Sequence, residues 1–240
     1  MSGHSKWSTI KHKKAATDKK RSAVFAKLAK AITIAANQGG GDPETNYALR
    51  SEIDRAKSFN LPKDKIEQAV KRGTGESKEG VQLVELLIEG LGPGGSAILI
   101  EAITDNRNRT TAEVRHILNQ NHGKMAGEGS VQWQFARYGV LRIQEVLTKN
   151  KEEFELLAIE EGAEDIKNMG GSFYIYTNVD NTQKMLEYMQ KQGYDELEAS
   201  LEWIPKNTVE ISEKENSQLE KLFEALDEQD DVQDIYTNTE

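Results

Sequence analysis

The residues of this chain with the clearest binding chemistry lie in its first 21 positions, which combine many cations with hydroxyl groups, imidazoles and one indole. Lysine and arginine neutralise phosphates and release counterions, hydroxyl groups bind phosphate oxygens, and an indole can stack on an unpaired base. This mixture predicts a segment that contacts nucleic acid. Its candidate contact residues are Lys6, Trp7, Lys11, His12, Lys13, Lys14, Lys19, Lys20 and Arg21.

A simpler interpretation of the same segment is a solvated, frayed terminus with Trp7 and Ile10 packed on the helices that follow. The charge distribution favours binding. The net charge is −9, yet residues 1–79 hold 17 Lys and Arg against 9 Asp and Glu, whereas the remaining residues hold 14 against 31. An asymmetry of this size predicts a basic contact surface joined to an acidic body.

A second polar cluster, residues 104–110, brings Arg107 and Arg109 into an otherwise acidic part of the chain, between a predicted strand and a predicted helix. Because a helix N-terminus favours anions, the two arginines are further candidates for phosphate contact. The alternative is a turn whose Asn and Asp side chains satisfy their own backbone. The sequence leaves both interpretations open.

The patterns that would indicate catalysis or a cofactor are weak. Gly90, Gly92 and Gly95 match a dinucleotide-binding spacing, but a strand is predicted to follow where a helix is needed, so we interpret the stretch as a turn. The chain has no cysteine, nucleophile elbow or P-loop, and its four histidines are too far apart to place two zinc ligands on one helix face. We expect a protein that is not an enzyme and that has no metal, no cofactor and no small-molecule substrate.

The composition is that of a soluble folded protein, with 37% hydrophobic and 30% charged residues. No apolar run approaches the roughly 20 residues that a membrane-spanning helix needs, and the charged N-terminus lacks the apolar region of a secretory signal. We therefore expect a cytoplasmic protein without a membrane partner.

The elements that must position these residues follow from periodicity and from helix stop signals. Helical spacing predicts helices over 24–39, 42–59 and 62–73, the second of them capped by Asp42 before Pro43. Together with residues 1–21, which we call the arm, they form a basic helical domain at residues 1–79.

From residue 81 the period changes to two, which is typical of strands. We predict strands over 81–89, 96–104 and 131–135, and a helix from a Thr110–Glu113 capping box to about Asn121. The tail adds a strand, a helix and a strand, at 208–211, 215–228 and 232–236.

Residues 137–206 are predicted to have the βαββαβ order of a ferredoxin-like domain. Neither the stretch before them nor the tail after them forms a complete sheet domain alone. We therefore predict an α+β multi-domain protein: a three-helix domain, a discontinuous ferredoxin-like α/β domain at 80–136 and 207–240, and a second such domain inserted in it at 137–206.

Six stretches of the sequence form a distinctive set of motifs: Gly3–Lys14 with Asp18–Arg21, Gly39–Pro43, Leu61–Asp64, Glu89–Gly95, Thr104–Thr110 and Gly129–Phe135. Together they resemble the YebC family, which includes YebC/PmpR-type transcriptional regulators and the mitochondrial translational activator of cytochrome oxidase. The resemblance implies a helical N-terminal domain with two α/β domains, and either promoter binding or ribosome association that helps the translation of proline-rich stretches.

Three hypotheses follow for the function. The first is a DNA-binding transcriptional regulator that contacts phosphates through its basic N-terminal domain. The second is a ribosome-associated translation factor that binds ribosomal RNA or tRNA. The third is a protein-interaction adaptor whose acidic domains engage a basic partner.

Overall fold

The computed structural model describes residues 18–76, 82–148 and 150–239 of the chain, with side chains from Arg21 onward. These residues divide into two compact units. The first unit holds the described residues up to Phe135 and those from Pro205 onward, and the second holds Ala136–Ile204. The first unit thus contains both the helical region and one sheet, and the predicted three-domain division stays a prediction.

Three helices open the first unit, as the apolar spacing predicts, and their buried faces share one core that includes Leu28, Ile32, Leu49 and Ile66. The helices are α1 Asp18–Gly39, α2 Tyr47–Ser58 and α3 Lys63–Gly73.

The predicted start of α2 at Asp42 is wrong, because a buried asparagine caps the helix four residues later. The Asn46 side chain accepts a hydrogen bond from Leu49 N at 3.1 Å and donates to the backbone oxygens of Ala35 and Gly40, both at 2.8 Å. Asp42 instead accepts from Glu44 N and forms a turn. Asn46 therefore satisfies an N-terminal donor of α2 and ties it to the end of α1.

Gly73 lets the end of α3 approach α1 closely. A Cβ atom there would lie 2.3 Å from the backbone oxygen of Thr33 and 2.7 Å from the Cβ of Ala36. Because a backbone atom cannot rotate away, we expect Gly73→Ala to lower the free energy of unfolding by about 1–3 kcal/mol in urea titrations. Gly127→Ala is the control, since a Cβ there meets no atom within 4 Å. Equal stability of the two variants would contradict this close packing.

The first sheet lies in the same unit and consists of four strands, β1 Val84–Leu91, β2 Ala97–Thr104, β3 Lys124–Met125 and β8 Val232–Thr237. Their order in the sheet is β3-β1-β2-β8. The central hairpin, β1 and β2, is antiparallel with Ile88 opposite Ile100, and β8 adds antiparallel to β2. A 3₁₀ turn at Pro93–Gly95 joins the hairpin, which confirms the glycine-rich stretch as a turn.

Two helices, α4 Arg107–Gln120 and α7 Glu213–Asp227, pack on this sheet through an apolar core. The core residues come from all of these elements, which explains why the two separated stretches of chain fold together. Prominent members are Ile88, Ile100, Val114, Leu118, Leu222, Phe223, Leu226 and Ile235.

Three predicted details of this region are wrong. The cap of α4 is Asn106, which accepts from Arg109 N, so the helix begins before the predicted capping box at Thr110. The stretch predicted as a strand at 131–135 forms a 3₁₀ turn at Gln132–Gln134, because its N–H groups bind a carboxylate and not a neighbouring strand. The predicted strand at 208–211 is reduced to one bridge, Val209 with Thr239.

The second unit has the predicted βαββαβ order. Its elements are β4 Phe135–Gln144, α5 Lys151–Glu160, β5 Asp165–Met169, β6 Ser172–Thr177, α6 Thr182–Lys191 and β7 Glu198–Pro205. The sheet order β5-β6-β4-β7 is that of a ferredoxin-like domain, and the core includes Phe154, Phe173, Ile175 and Met185.

Within the described part of the chain, no helix has the length and apolar character needed to cross a membrane.

Candidate nucleic-acid interface

Most of the predicted contact residues fall at or before the start of α1. Arg21 is the first with a described side chain: it is exposed, and its guanidinium carbon lies 5.4 Å from the centre of the Phe25 ring. Lys19 and Lys20 belong to the first turn of α1, but their side chains are outside the described part. The other predicted residues, all outside the described residues, are Lys6, Trp7, Lys11, His12, Lys13 and Lys14.

Further along α1, the cations Lys27 and Lys30 are tied to residues 227–231, which we call the acidic turn. Lys27 is 7% exposed and donates to the backbone oxygen of Asp227 at 2.5 Å and to its Oδ1 at 3.2 Å. Lys30 donates to Asp231 Oδ1 at 2.6 Å and to the Asp230 oxygen at 3.0 Å. These two lysines hold α1 against the acidic turn and are therefore less available to contact phosphates.

Two other surface cations of the helical region pair with acids of their own helix. Lys57 lies 2.9 Å from Asp54, and Lys63 lies 3.8 Å from Glu67. Because the neighbouring acid partly neutralises the charge of each lysine, these two lysines add little to a positive surface. The arm and the first turn of α1 therefore carry most of the predicted binding charge.

Asp231 is the centre of a buried polar cluster that the sequence did not suggest. Its carboxylate accepts from Lys30, from Thr110 Oγ1 at 2.6 Å and from Arg109 Nη2 at 3.1 Å, and its side chain is only 5% exposed. Burial alone would raise the pKa of Asp231, but hydrogen bonds from Lys30, Thr110 and Arg109 outweigh it and hold that pKa well below its usual range. The cluster links α1, α4 and the start of β8 around one negative charge.

The 104–110 cluster has the geometry of a self-satisfied turn. Thr104 Oγ1 accepts from Asn106 N at 2.9 Å, and Asn106 in turn caps α4. Arg109 forms an ion pair with Asp105 at 2.7 Å as well as with Asp231. Arg107 is exposed and lines a shallow cleft that also contains Glu85 and Asp105. These acids weaken the attraction for phosphate, and the binding role of both arginines stays a prediction.

Sequence reasoning missed Glu89, a buried carboxylate in β1. It accepts hydrogen bonds from the backbone N–H groups of Gly129 and Val131, both at 2.5 Å, and of Gln132 at 2.9 Å. Burial raises the pKa of Glu89, but the bonds from Gln132, Val131 and Gly129 together lower it. Glu89 thereby holds the backbone of residues 127–134, a segment that we call the 127–134 loop.

The 127–134 loop displays an indole that the sequence had suggested only as part of a short strand. Trp133 is 65% exposed, whereas Val131 and Phe135 on either side are 1% and 3% exposed. Its Nε1 donates to the backbone oxygen of Ser130 at 2.9 Å. The loop therefore combines buried anchors with one exposed aromatic ring.

Among the described residues, no group of three or more His, Asp and Glu side chains is arranged to hold a metal ion. His116 and His122 are both exposed. The candidate functional features on the described surface are the start of α1, the 104–110 cluster and the 127–134 loop.

The architecture defines a mixed α+β protein with a helical N-terminal region and two four-stranded sheets. Its sequence matches two family models, described as the TACO1/YebC protein N-terminal domain over residues 5–76 and the TACO1/YebC second and third domain over residues 83–239. The chain belongs to the TACO1/YebC family, which confirms the resemblance seen in its motifs.

Similar proteins extend over the whole chain. A probable transcriptional regulatory protein of Caldanaerobacter subterraneus is 47% identical, covering 100% of this chain and 98% of its own length. One from Thermotoga maritima is 46% identical, covering 100% and 94%. The crystal structure of a conserved hypothetical protein from Aquifex aeolicus matches with a TM-score of 0.88 and 40% identity, covering 98% of this chain and 97% of that one. This match confirms the predicted fold class.

Proposed function

We propose that this chain is a cytoplasmic, non-enzymatic regulator of gene expression that binds duplex DNA through phosphate contacts of its basic N-terminal segment. The observation that carries the proposal is the concentration of seven Lys and Arg against one acid in residues 1–21 of a chain with a net charge of −9. The names of the relatives, probable transcriptional regulatory proteins, support the same role.

The contacts inside the first unit indicate which cations are available for DNA. Lys27 and Lys30 are engaged by the acidic turn, and Arg109 is engaged by Asp105 and Asp231. Among the cations of α1 and the segment before it, those left for phosphate contact therefore precede Lys27, and the exposed Arg107 stays a further candidate. The acidic body would repel a duplex and so orient the N-terminal end of α1 toward it.

The dependence of DNA affinity on salt tests this proposal. If six or more phosphates are held, affinity should fall by roughly 1,000-fold or more between about 50 and 200 mM salt, and removal of residues 1–21 should flatten the dependence. Binding is measured by fluorescence anisotropy on a labelled duplex. A truncated chain with the full salt dependence would refute the phosphate-contact role of the arm.

A matched pair of triple variants tests whether local phosphate contacts or total net charge set the salt dependence of DNA binding. The first replaces Lys11, Lys13 and Lys14 with Gln. The control makes the same charge change in the acidic body, at the exposed lysines Lys191, Lys214 and Lys221. The slope of log affinity against log salt should lose roughly 2–3 units in the arm variant, about 0.9 per phosphate, and stay unchanged in the control. Equal losses would mean that only total charge matters.

A second candidate function is a translation factor bound to ribosomal RNA. The observation that favours it is the exposed Trp133, because structured RNA offers unpaired bases as well as phosphates. Parallel titrations of duplex DNA and a structured ribosomal RNA fragment distinguish the two candidates. Binding to RNA that is about tenfold tighter or more at equal salt would favour the translation factor. Tenfold corresponds to a difference in binding free energy of roughly 1.4 kcal/mol.

A further inference from the structure

The 127–134 loop holds its exposed indole in a fixed position. Glu89 binds three of its N–H groups, and the side chains of Val131 and Phe135 are buried on either side of Trp133. Beyond the indole, Gln134 accepts from Lys206 N at 2.8 Å through its backbone oxygen and from Asn238 Nδ2 at 3.2 Å through its side chain. A ring held in this way loses little conformational freedom when a ligand binds, which favours affinity.

The N–H group of the Trp133 indole already has a hydrogen-bond acceptor within the loop. Because Trp133 Nε1 donates to the oxygen of Ser130, the indole does not need a hydrogen-bond acceptor from a partner. A ligand would therefore be held by the aromatic face and not by the N–H group. Stacking on a flat π-system is the interaction that such a ring provides best.

The surroundings of Trp133 differ from an apolar protein-docking patch. Among the described residues of the first unit, Val84 is the other exposed large hydrophobic side chain, at 39%. A protein interface needs a contiguous apolar area with several such side chains. An isolated aromatic ring in a polar setting suits a single planar group.

A cation lies beside the backbone of Trp133. Lys206 is exposed, and its Nζ donates to the backbone oxygen of Trp133 at 2.8 Å. One of its three ammonium protons is used there, which leaves two for an anionic ligand. A nucleotide carries both of the groups that this pair accepts, a base for the ring and a phosphate for the ammonium.

We propose that Trp133 and Lys206 form a second nucleic-acid contact that stacks one unpaired base of a single-stranded or looped RNA or DNA segment. The inference rests on the proposed nucleic-acid-binding function and adds a single-strand subsite to the phosphate contacts of the arm. The arm supplies general attraction, and the 127–134 loop discriminates an unpaired base from a base pair.

Anisotropy titrations of the full chain with four 12-residue ligands test the subsite: oligouridine RNA, oligothymidine DNA, an abasic DNA strand and a DNA duplex. Trp133→Ala should weaken binding to either base-bearing strand by about 5- to 150-fold, which corresponds to roughly 1–3 kcal/mol per stacked base. Binding to the abasic strand and the duplex should not change. Unequal losses on the RNA and DNA strands identify the natural source of the base.

Three further variants separate stacking from simple apolar contact. Trp133→Phe should keep most of the affinity, whereas Trp133→Leu should behave like the alanine variant. Ile159→Ala is the control, because Ile159 is similarly exposed, at 59%, but lies in the second unit. Melting curves should be unchanged in all four variants, since these side chains are exposed.

The outcomes distinguish this inference from the proposed function. Unchanged single-strand affinity in Trp133→Ala, with the arm-dependent salt slope on duplex DNA intact, overturns the subsite alone. An equal loss on abasic and base-bearing strands also overturns it, because the contact would not involve a base. Absence of wild-type binding to any of the four ligands refutes the proposed function together with the subsite.

Discussion

Replacing Asp231 with alanine is expected to lower the free energy of unfolding of the first unit by roughly 3–5 kcal/mol, the range for removing one member of a buried ion pair. The carboxylate is 5% exposed and accepts from Lys30, Arg109 and Thr110. Its removal leaves the Thr110 hydroxyl buried without this acceptor and takes from Lys30 its closest acid. Because these donors come from α1 and α4, the loss loosens both helices from the acidic turn.

Asp230→Ala is the matched control for this variant, since Asp230 is the neighbouring acid and is exposed. Its backbone oxygen still accepts from Lys30, so its stability should stay within about 0.5 kcal/mol of wild type, as is usual for surface sites. Urea unfolding monitored by circular dichroism measures both variants. Similar midpoints for the two alanine variants would show that the buried cluster contributes little.

The same carboxylate predicts a pH dependence of stability. Its pKa is lower in the folded chain than its ordinary value of about 3.9, so the folded state binds the proton less readily than the unfolded state. The stability that Asp231 contributes is therefore complete above about pH 5. It declines as the pH falls through the ordinary pKa toward the pKa of the folded state. Asp231→Asn should flatten the unfolding free energy below pH 5 relative to wild type, and an unchanged acid profile would contradict the assignment.

The sequence predicted the elements whose stabilisation is local. The helical spacing of residues such as Leu28 and Ile32 predicted α1, and the period of two from residue 81 predicted β1 and β2, because an element's own pattern decides its buried face. The predicted helices and strands of residues 137–206, taken in chain order, were then enough to indicate the ferredoxin-like plan of the second unit. These features require no knowledge of a distant partner.

The features that the sequence failed to predict depend on partners far away in the chain. Thr110 was interpreted as a cap, but its hydroxyl donates to Asp231, which is 121 residues away. Lys27 was counted among the cations of the basic region at residues 1–79, but its partner Asp227 is 200 residues away. A hydroxyl or ammonium group has the same local signature whether it faces solvent or a buried carboxylate. Only the packing of α1 and α4 around the acidic turn reveals which of the two it is.

The second large expected effect on stability comes from replacing Glu89, the carboxylate that holds the 127–134 loop. Glu89→Ala is expected to cost about 2–4 kcal/mol, because three backbone N–H groups lose a buried, charged acceptor. Glu89→Gln should cost less, about 1–3 kcal/mol. Oε1 of Glu89 serves Gly129 and Oε2 serves Val131 and Gln132, so an amide keeps one acceptor but places its NH₂ group against an N–H donor. Glu85→Gln, an exposed acid on the same strand, is the control and should be neutral in urea unfolding.

The Glu89 variants also connect the stability of the loop to its proposed ligand. If Glu89 acts by holding Trp133 in place, Glu89→Gln should weaken binding to base-bearing single strands in the same direction as Trp133→Ala and leave duplex binding unchanged. In the double variant the two losses should not add, because once the indole is absent its position no longer matters. Additive losses would mean that Glu89 affects binding by a route that does not pass through Trp133. A loss of stability without any loss of single-strand affinity would assign Glu89 a purely structural role.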